Sequence, residues 1–204
     1  MKTTQWLDFF RRYIEKKVFS FADLEQMTGL PKDQLQVELS RLVARGVLRR
    51  LVRKWYANPF APPSVEEVAM VLRHPSYISL EYALAKEGIL SQTVFTITLI
   101  TIKLPYTFNF NGTTFEYHQI ARRLFWGYRL DGRANVAWPE KALLDLIYIR
   151  HLKTRKLSAT RLHSLLEDMY LQELDRERLW SFAVKFGPPY VGQLKTILAQ
   201  PFFR

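Results

Sequence analysis

The chain has 204 residues, 48% of them apolar, and a formal charge of +11 at pH 7. That length holds one large domain or two smaller ones, each with enough apolar surface for a packed core, and the complete lack of cysteine excludes disulfides, thiolate chemistry and cysteine-ligated metal sites. The longest apolar stretch, Val94–Leu104, is too short to span a bilayer as a helix, and Lys2, Asp8, Arg11 and Arg12 break up any apolar signal core, so a cytoplasmic protein with no membrane partner is expected.

Apolar residues Trp6, Leu7, Phe9, Phe10, Tyr13 and Ile14 recur at helical spacing, and Ser20 opens a second helical stretch bearing Phe21, Leu24 and Met27 that stops at Gly29. Pro31 restarts a helix as a first-turn residue, with Leu35, Leu39 and Leu42 as its inward stripe until Gly46. Val47–Val52 and Trp55–Ala57 then read as two short strands around Arg53-Lys54. Helix, helix, tight turn, helix and hairpin make a winged helix-turn-helix over residues 1–57. The run Asn58–Ser64, with three prolines, reads as a stiff linker.

Residues 65–204 predict a separate mixed domain. Val65–Leu72 and Leu80–Glu87 read as helices, and Thr93–Lys103, Tyr106–Phe110, Thr113–Ile120 and Leu124–Leu130 as strands of an antiparallel sheet, with Asn111-Gly112 a strong hairpin turn. Helical periodicity returns over Pro139–Leu152, Ala159–Tyr170, Asp175–Phe186 and Pro189–Ala199. The fold class is α+β, with C-terminal helices following the sheet.

Charge is concentrated at the N-terminal end: residues 1–57 carry 12 Lys and Arg against 6 Asp and Glu, which is +6 of the +11. With Leu35, Leu39 and Leu42 inward, the third helix turns Asp33, Gln34, Val37, Ser40, Arg41 and Ala44 outward, with Arg45 at the edge. Small residues let such a helix sit deep in a major groove, Gln34 and Arg41 suit paired hydrogen bonds to base edges, and Ser40 can donate or accept. Lys32 and the free amides of the first turn suit phosphate. Arg41, Arg45, Arg49, Arg50, Arg53 and Lys54 fall in a stretch with no acid between Glu38 and Glu66. A basic helix and hairpin could be an ordinary solvated face; against that, the helical order, the hairpin and the acid-free stretch coincide. If four to six of these groups meet phosphates, log affinity should fall with log salt at a slope of about −0.9 per contact.

Catalytic patterns are scarce. His74, His118, His151 and His163 lack metal-ligand spacing, no phosphate-cradling glycine loop or nucleophile elbow occurs, and neither metal nor cofactor is expected. Glu140, in a first turn, and Asp145, flanked by apolar neighbours, read as structural. The aromatics Phe108, Phe110, Phe115, Tyr117, Phe125, Trp126 and Tyr128 could stack bases but at strand spacing read as core.

The blocks SYISLEYALAKEGIL (Ser76–Leu90), VFTITLITIKL, FEYHQI, FWGY and WPEKALLDLIYI (Trp138–Ile149) resemble, in that order and spacing, the AbiEi family of antitoxins of type IV toxin–antitoxin systems. That family also begins with a winged helix-turn-helix, so the resemblance covers most of the chain. It implies a non-enzymatic repressor of its own operon that binds inverted repeats in promoter DNA and counteracts a nucleotidyltransferase-type toxin, with or without touching it. It assigns no chemical role to any residue beyond Ala57. Two other readings stand beside it. One is a stand-alone winged-helix transcription factor with an effector-binding or dimerising C-terminal domain. The other is a nucleic-acid enzyme, which would need a convergent polar site around Glu140 and Asp145.

Overall fold

A computed structural model describes residues 1–154, 158–188 and 190–199. The chain divides into two compact units, Met1–Leu72 and Arg73–Arg204. Both helices and strands build the molecule, as the mixed composition of apolar periods predicts. The division lies beyond the proline-rich run, so the helix at 65–72 belongs to the first unit.

In unit 1, helix α1 (Thr3–Arg12) leads into strand β1 (Val18–Ser20), helix α2 (Phe21–Thr28), helix α3 (Lys32–Ala44) and a hairpin of β2 (Arg49–Val52) and β3 (Trp55–Ala57). The three strands form an antiparallel sheet in the order β1-β3-β2. Strand β1 was not expected from the sequence: three residues with one buried side chain give no period-two signal, and Ser20 also caps α2. That cap is reciprocal, Asp23 N donating to Ser20 Oγ at 3.0 Å and Ser20 N to Asp23 Oδ2 at 2.8 Å. Gly29, at φ 66°, closes α2 in the left-handed region. Pro31 precedes the first turn of α3 instead of occupying it, and its carbonyl accepts from Leu35 N at 2.9 Å.

Trp6, Phe10, Phe19, Leu24, Leu35, Leu39, Leu42 and Leu48 fill the core of this unit. The run expected as a linker begins inside it. Asn58 is 1% exposed, and its Nδ2 donates to the carbonyls of Phe10, Tyr13 and Lys16 at 3.1, 3.1 and 3.2 Å. These acceptors lie at and beyond the end of α1, where helical carbonyls lose their own partners. Ser64 then caps helix α4 (Val65–Leu72): Ser64 N donates to Glu67 Oε2 at 2.7 Å and Glu67 N to Ser64 Oγ at 3.2 Å. Lys17 Nζ reaches the same Oε2 at 3.1 Å. Burial alone would raise the Glu67 carboxyl, but the Ser64 amide and Lys17 ammonium outweigh it and hold the group below its ordinary value.

Unit 2 is built on a six-stranded sheet. Its strands are β4 (Ser76–Ile78), β5 (Ile97–Thr101), β6 (Tyr106–Phe110), β7 (Thr113–Gln119), β8 (Tyr128–Asp131) and β9 (Ala134–Ala137), in the order β6-β7-β5-β4-β9-β8. The sheet is mixed and not purely antiparallel, because β4 runs parallel to β9 and β5 to β7. Strands β4 and β9 were unexpected. Of the strand read at Leu124–Leu130 only Tyr128–Leu130 is strand, the start of the β8–β9 hairpin, and a tight turn occupies Arg122–Leu124. Residues 93–96 lie outside β5, and the threonines inside it do not face water: Thr98 Oγ1 donates to Ser79 O at 2.7 Å and Thr101 Oγ1 to Pro75 O at 2.8 Å.

Helix α5 (Leu80–Lys86) and helix α6 (Pro139–Leu146) pack together, and α6 continues as a wider-wound segment, Ile147–Lys153. Helices α7 (Ala159–Glu167), α8 (Arg176–Lys185) and α9 (Tyr190–Leu198) follow. The last was expected to begin at Pro189, which lies outside the described residues. From Glu140 to Ile149 every residue of α6 and its continuation is buried, the mark of a helix enclosed on all sides.

The enclosed helix carries a salt bridge. Lys141 and Asp145, one turn apart, are both 0% exposed and ion-paired through Nζ and Oδ1. Tyr77 Oη and Ser79 Oγ donate to Asp145 Oδ2, each at 2.9 Å, and Lys141 Nζ donates to Tyr77 Oη at 2.9 Å. The rings of Trp126, Phe186 and Tyr77 surround the ammonium at 4.9, 5.3 and 5.4 Å. Burial presses the Lys141 ammonium below its ordinary value and the Asp145 carboxyl above its own, each partner opposing that pressure on the other. Removing one partner strands a buried charge. Lys141→Met should therefore cost about 3–5 kcal/mol, and Lys141→Met with Asp145→Leu less than the two single losses added. Denaturant unfolding of the four proteins checks this, and strict additivity would contradict it.

Candidate nucleic-acid interface

The geometry of the exposed basic residues follows from α3. Leu35 and Leu39 are fully buried and Leu42 nearly so, and with that stripe inward Lys32, Asp33, Gln34, Val37, Ser40, Arg41, Ala44 and Arg45 all stand exposed. Lys32, Gln36 and Ser40 share one flank at i, i+4 spacing and look across at the β2–β3 hairpin. Between helix and hairpin lies a cleft of about 140 Å³ lined by Phe21, Lys32, Gln36, Ser40, Arg50, Arg53, Lys54 and Tyr56. Four of these are cations and none is an acid. The cleft is well below the roughly 300–1,000 Å³ of a drug-sized ligand pocket but open to a single anionic group.

Of the residues selected from sequence, the structure brings Lys32, Ser40, Arg50, Arg53 and Lys54 to this cleft. Arg41 and Arg45 lie elsewhere, in a second hollow of about 330 Å³ beside the start of α1, lined with Met1, Lys2, Thr3, Trp6, Glu38 and Leu42. Arg45 Nη1 donates there to Thr3 Oγ1 at 3.4 Å. Gln34 is turned along the helix, its Nε2 donating to Glu38 Oε1 at 3.2 Å. Arg49 is exposed at the start of β2 but lines neither hollow. Ser40 Oγ donates to Gln36 O at 2.8 Å, which leaves its lone pairs as acceptors.

Sequence reasoning passed over two residues. Gln36 lines the cleft, and its place between Lys32 and Ser40 on one helical flank was a signal available from spacing. Glu38 reads, with Asp33, as one of two acids on the basic helix, yet its carboxylate accepts from Trp6 Nε1 at 2.6 Å and the Met1 amino group at 2.5 Å. Burial would raise that carboxyl, but these donors hold it below its ordinary value. Its charge therefore fastens α1 to α3.

The hairpin turn has a further peculiarity. Val52 pairs with Trp55, leaving Arg53 and Lys54 as the two turn residues, and Lys54 sits at φ 67°. Glycine or asparagine is the ordinary occupant of that region, and a lysine there stores strain of order 1 kcal/mol or more. Its carbonyl accepts from Phe21 N at 2.8 Å, which ties the turn to the start of α2.

The site weighed for catalysis does not converge. Glu140 accepts from Asp175 N at 2.9 Å and from Arg178 Nη1 at 3.5 Å, whereas Asp145 serves Lys141, Tyr77 and Ser79. Both carboxylates are buried, and Asp145 is closed to any solute. Among the described residues no helix is long and apolar enough to cross a membrane.

No protein-family model matches the chain, and no curated protein matches it. The site therefore rests on its own geometry.

Replacing Lys54 by Gly should relieve the turn and stabilise the protein by about 0.5–1 kcal/mol, read from the denaturant midpoint. A loss of stability would show that the lysine is not strained.

Proposed function

We propose that unit 1 is a winged helix-turn-helix that binds duplex DNA, with α3 presented to the major groove and the β2–β3 hairpin as the wing. The observation that carries this is the acid-free cleft, where Lys32 from the helix and Arg50, Arg53 and Lys54 from the hairpin face one hollow the size of a single phosphate-like group. Four cations held together on a small domain repel one another; a polyanion removes that cost and releases counterions. The lysine in the strained turn supports the same reading, because its charge is kept where another residue would fold better. Exposed Val37 and Ala44 leave the helix low enough to approach base edges, with Gln34 and Arg41 as the bidentate candidates.

The resemblance to AbiEi antitoxins extends the proposal to the whole chain: an antitoxin of a type IV system that represses its own promoter and counteracts a nucleotidyltransferase-type toxin. Its support is the order of the sequence blocks from Ser76 to Ile149. Tyr77, Ser79, Lys141 and Asp145, which form the buried network of unit 2, all fall within those blocks. A co-transcribed nucleotidyltransferase gene whose toxicity this chain relieves would support the reading, and a toxin unaffected by the chain would overturn it.

DNA binding is tested by gel-shift titration against the protein's own upstream DNA and a random duplex at two salt concentrations. Arg50→Ala with Arg53→Ala should weaken both duplexes alike and flatten the log–log salt slope by about 0.9 per lost contact. Arg41→Ala should cost about 1–3 kcal/mol on the upstream DNA alone if it reads a base. A salt slope unchanged by the wing substitutions removes the cleft from the interface.

A further inference from the structure

The two edges of the unit 2 sheet are unlike. At one edge β8, Tyr128–Asp131, is guarded by charge: Arg129 pairs with Glu87 at 2.7 Å and Asp131 with Lys86 at 3.3 Å. Charged side chains on an edge strand are the usual protection against pairing with another chain. At the other edge β6, Tyr106–Phe110, has the sequence YTFNF, with no charge, no proline and no bulge.

The β6–β7 hairpin closes on a two-residue turn, Asn111-Gly112, with Phe110 opposite Thr113. Ladder alternation then turns the backbone groups of Tyr106, Phe108 and Phe110 toward β7 and those of Thr107 and Asn109 outward. Thr107 and Asn109 are both exposed. On one face, Tyr106, Phe108 and Phe110 form a row with centroids 6.2 and 6.5 Å apart, continuing the buried Phe115 and Tyr117 of β7 toward solvent; Tyr106 is 50% exposed.

We propose that β6 pairs with β6 of a second copy, antiparallel about Phe108, joining the two sheets into one. The strand is complementary to itself in that register. Thr107 faces Asn109 of the other copy and exchanges backbone hydrogen bonds with it, Tyr106 faces Phe110, and the two Phe108 rings meet at the centre, where non-hydrogen-bonded neighbours approach most closely. The lack of charge on β6 favours a second copy of the same neutral strand over an acidic or basic partner. In a chain of +11, β6 is a neutral segment on which two copies meet without like-charge contact, and the Arg73 guanidinium over Tyr106, at 5.4 Å, falls at opposite ends of the pair. A five-residue edge buries less than the roughly 1,000 Å² of a stable interface, so the dimer is concentration-dependent. The pairing stands apart from the DNA reading.

Sedimentation velocity of the full chain across the micromolar range should show reversible monomer–dimer exchange, and the Thr107 and Asn109 amides should exchange hydrogen more slowly as concentration rises. Thr107→Pro removes an outward donor that β7 does not use and should weaken self-association by about tenfold or more. Thr107→Lys should weaken it too, while Leu130→Lys on β8 should leave it unchanged. A chain that stays monomeric at high micromolar concentration overturns the proposal. So does a dimer indifferent to both Thr107 substitutions, or one lost with Leu130→Lys.

Discussion

A helix at the surface of a small domain buries only one stripe, and that constraint on α3 organises the N-terminal unit. With Leu35, Leu39 and Leu42 committed to the core, the remaining positions have no freedom in where they point. One flank must face the hairpin, which is why Lys32, Gln36 and Ser40 end up across from Arg50, Arg53 and Lys54. The other flank must face α1, where Glu38 is consumed by Trp6 and the Met1 amino group. The cleft is lined by four cations and no acid, and the carboxylate of Glu38 is used on the other flank. Asn58 sets the last boundary condition, gathering the carbonyls at and beyond the end of α1 so that the strand leaving the hairpin is fixed to the helix that started the unit.

Unit 2 treats charge in the opposite way. Its central helix carries Lys141 and Asp145 inward, each satisfied by the other and by hydroxyls from β4 and the residue after it, with aromatic rings closing around the ammonium. Buried ion pairs of this kind rarely add stability over apolar packing, but they penalise any arrangement that separates the partners. Here they fix the register of α6 against β4, two elements far apart in the sequence. Charge in the first unit is an outward surface; in the second it is an internal fastening.

Much of the first unit was legible in the sequence because its signals are local: a leucine stripe at helical spacing, Gly29 and Gly46 at helix ends, a polar pair between two short strands. The basic stretch was legible for the same reason, since residues 41–54 are contiguous. What was hidden is what depends on long-range pairing. Strands β1, β4 and β9 are three or four residues long, and their partners are set by the sheet and not by their own period. The proline-rich run looked like a linker because composition reports chain stiffness, whereas the role of Asn58 depends on three carbonyls that only folding brings within reach. Residues of one basic stretch also separated. Arg41 and Arg45 went to the α1 side while Arg50, Arg53 and Lys54 went to the cleft, a split that helix rotation and hairpin position decide together.

The central claim is that the surface between α3 and the hairpin receives nucleic acid. The most direct measurement is a residue-resolved magnetic resonance titration of the full chain with its own upstream duplex, following backbone amides and the side-chain signals of arginine and lysine. The largest changes should fall on Lys32, Gln36, Ser40, Arg50, Arg53 and Lys54, and should fade as salt is raised. Changes concentrated in residues 73–199, with the cleft undisturbed, would contradict the account.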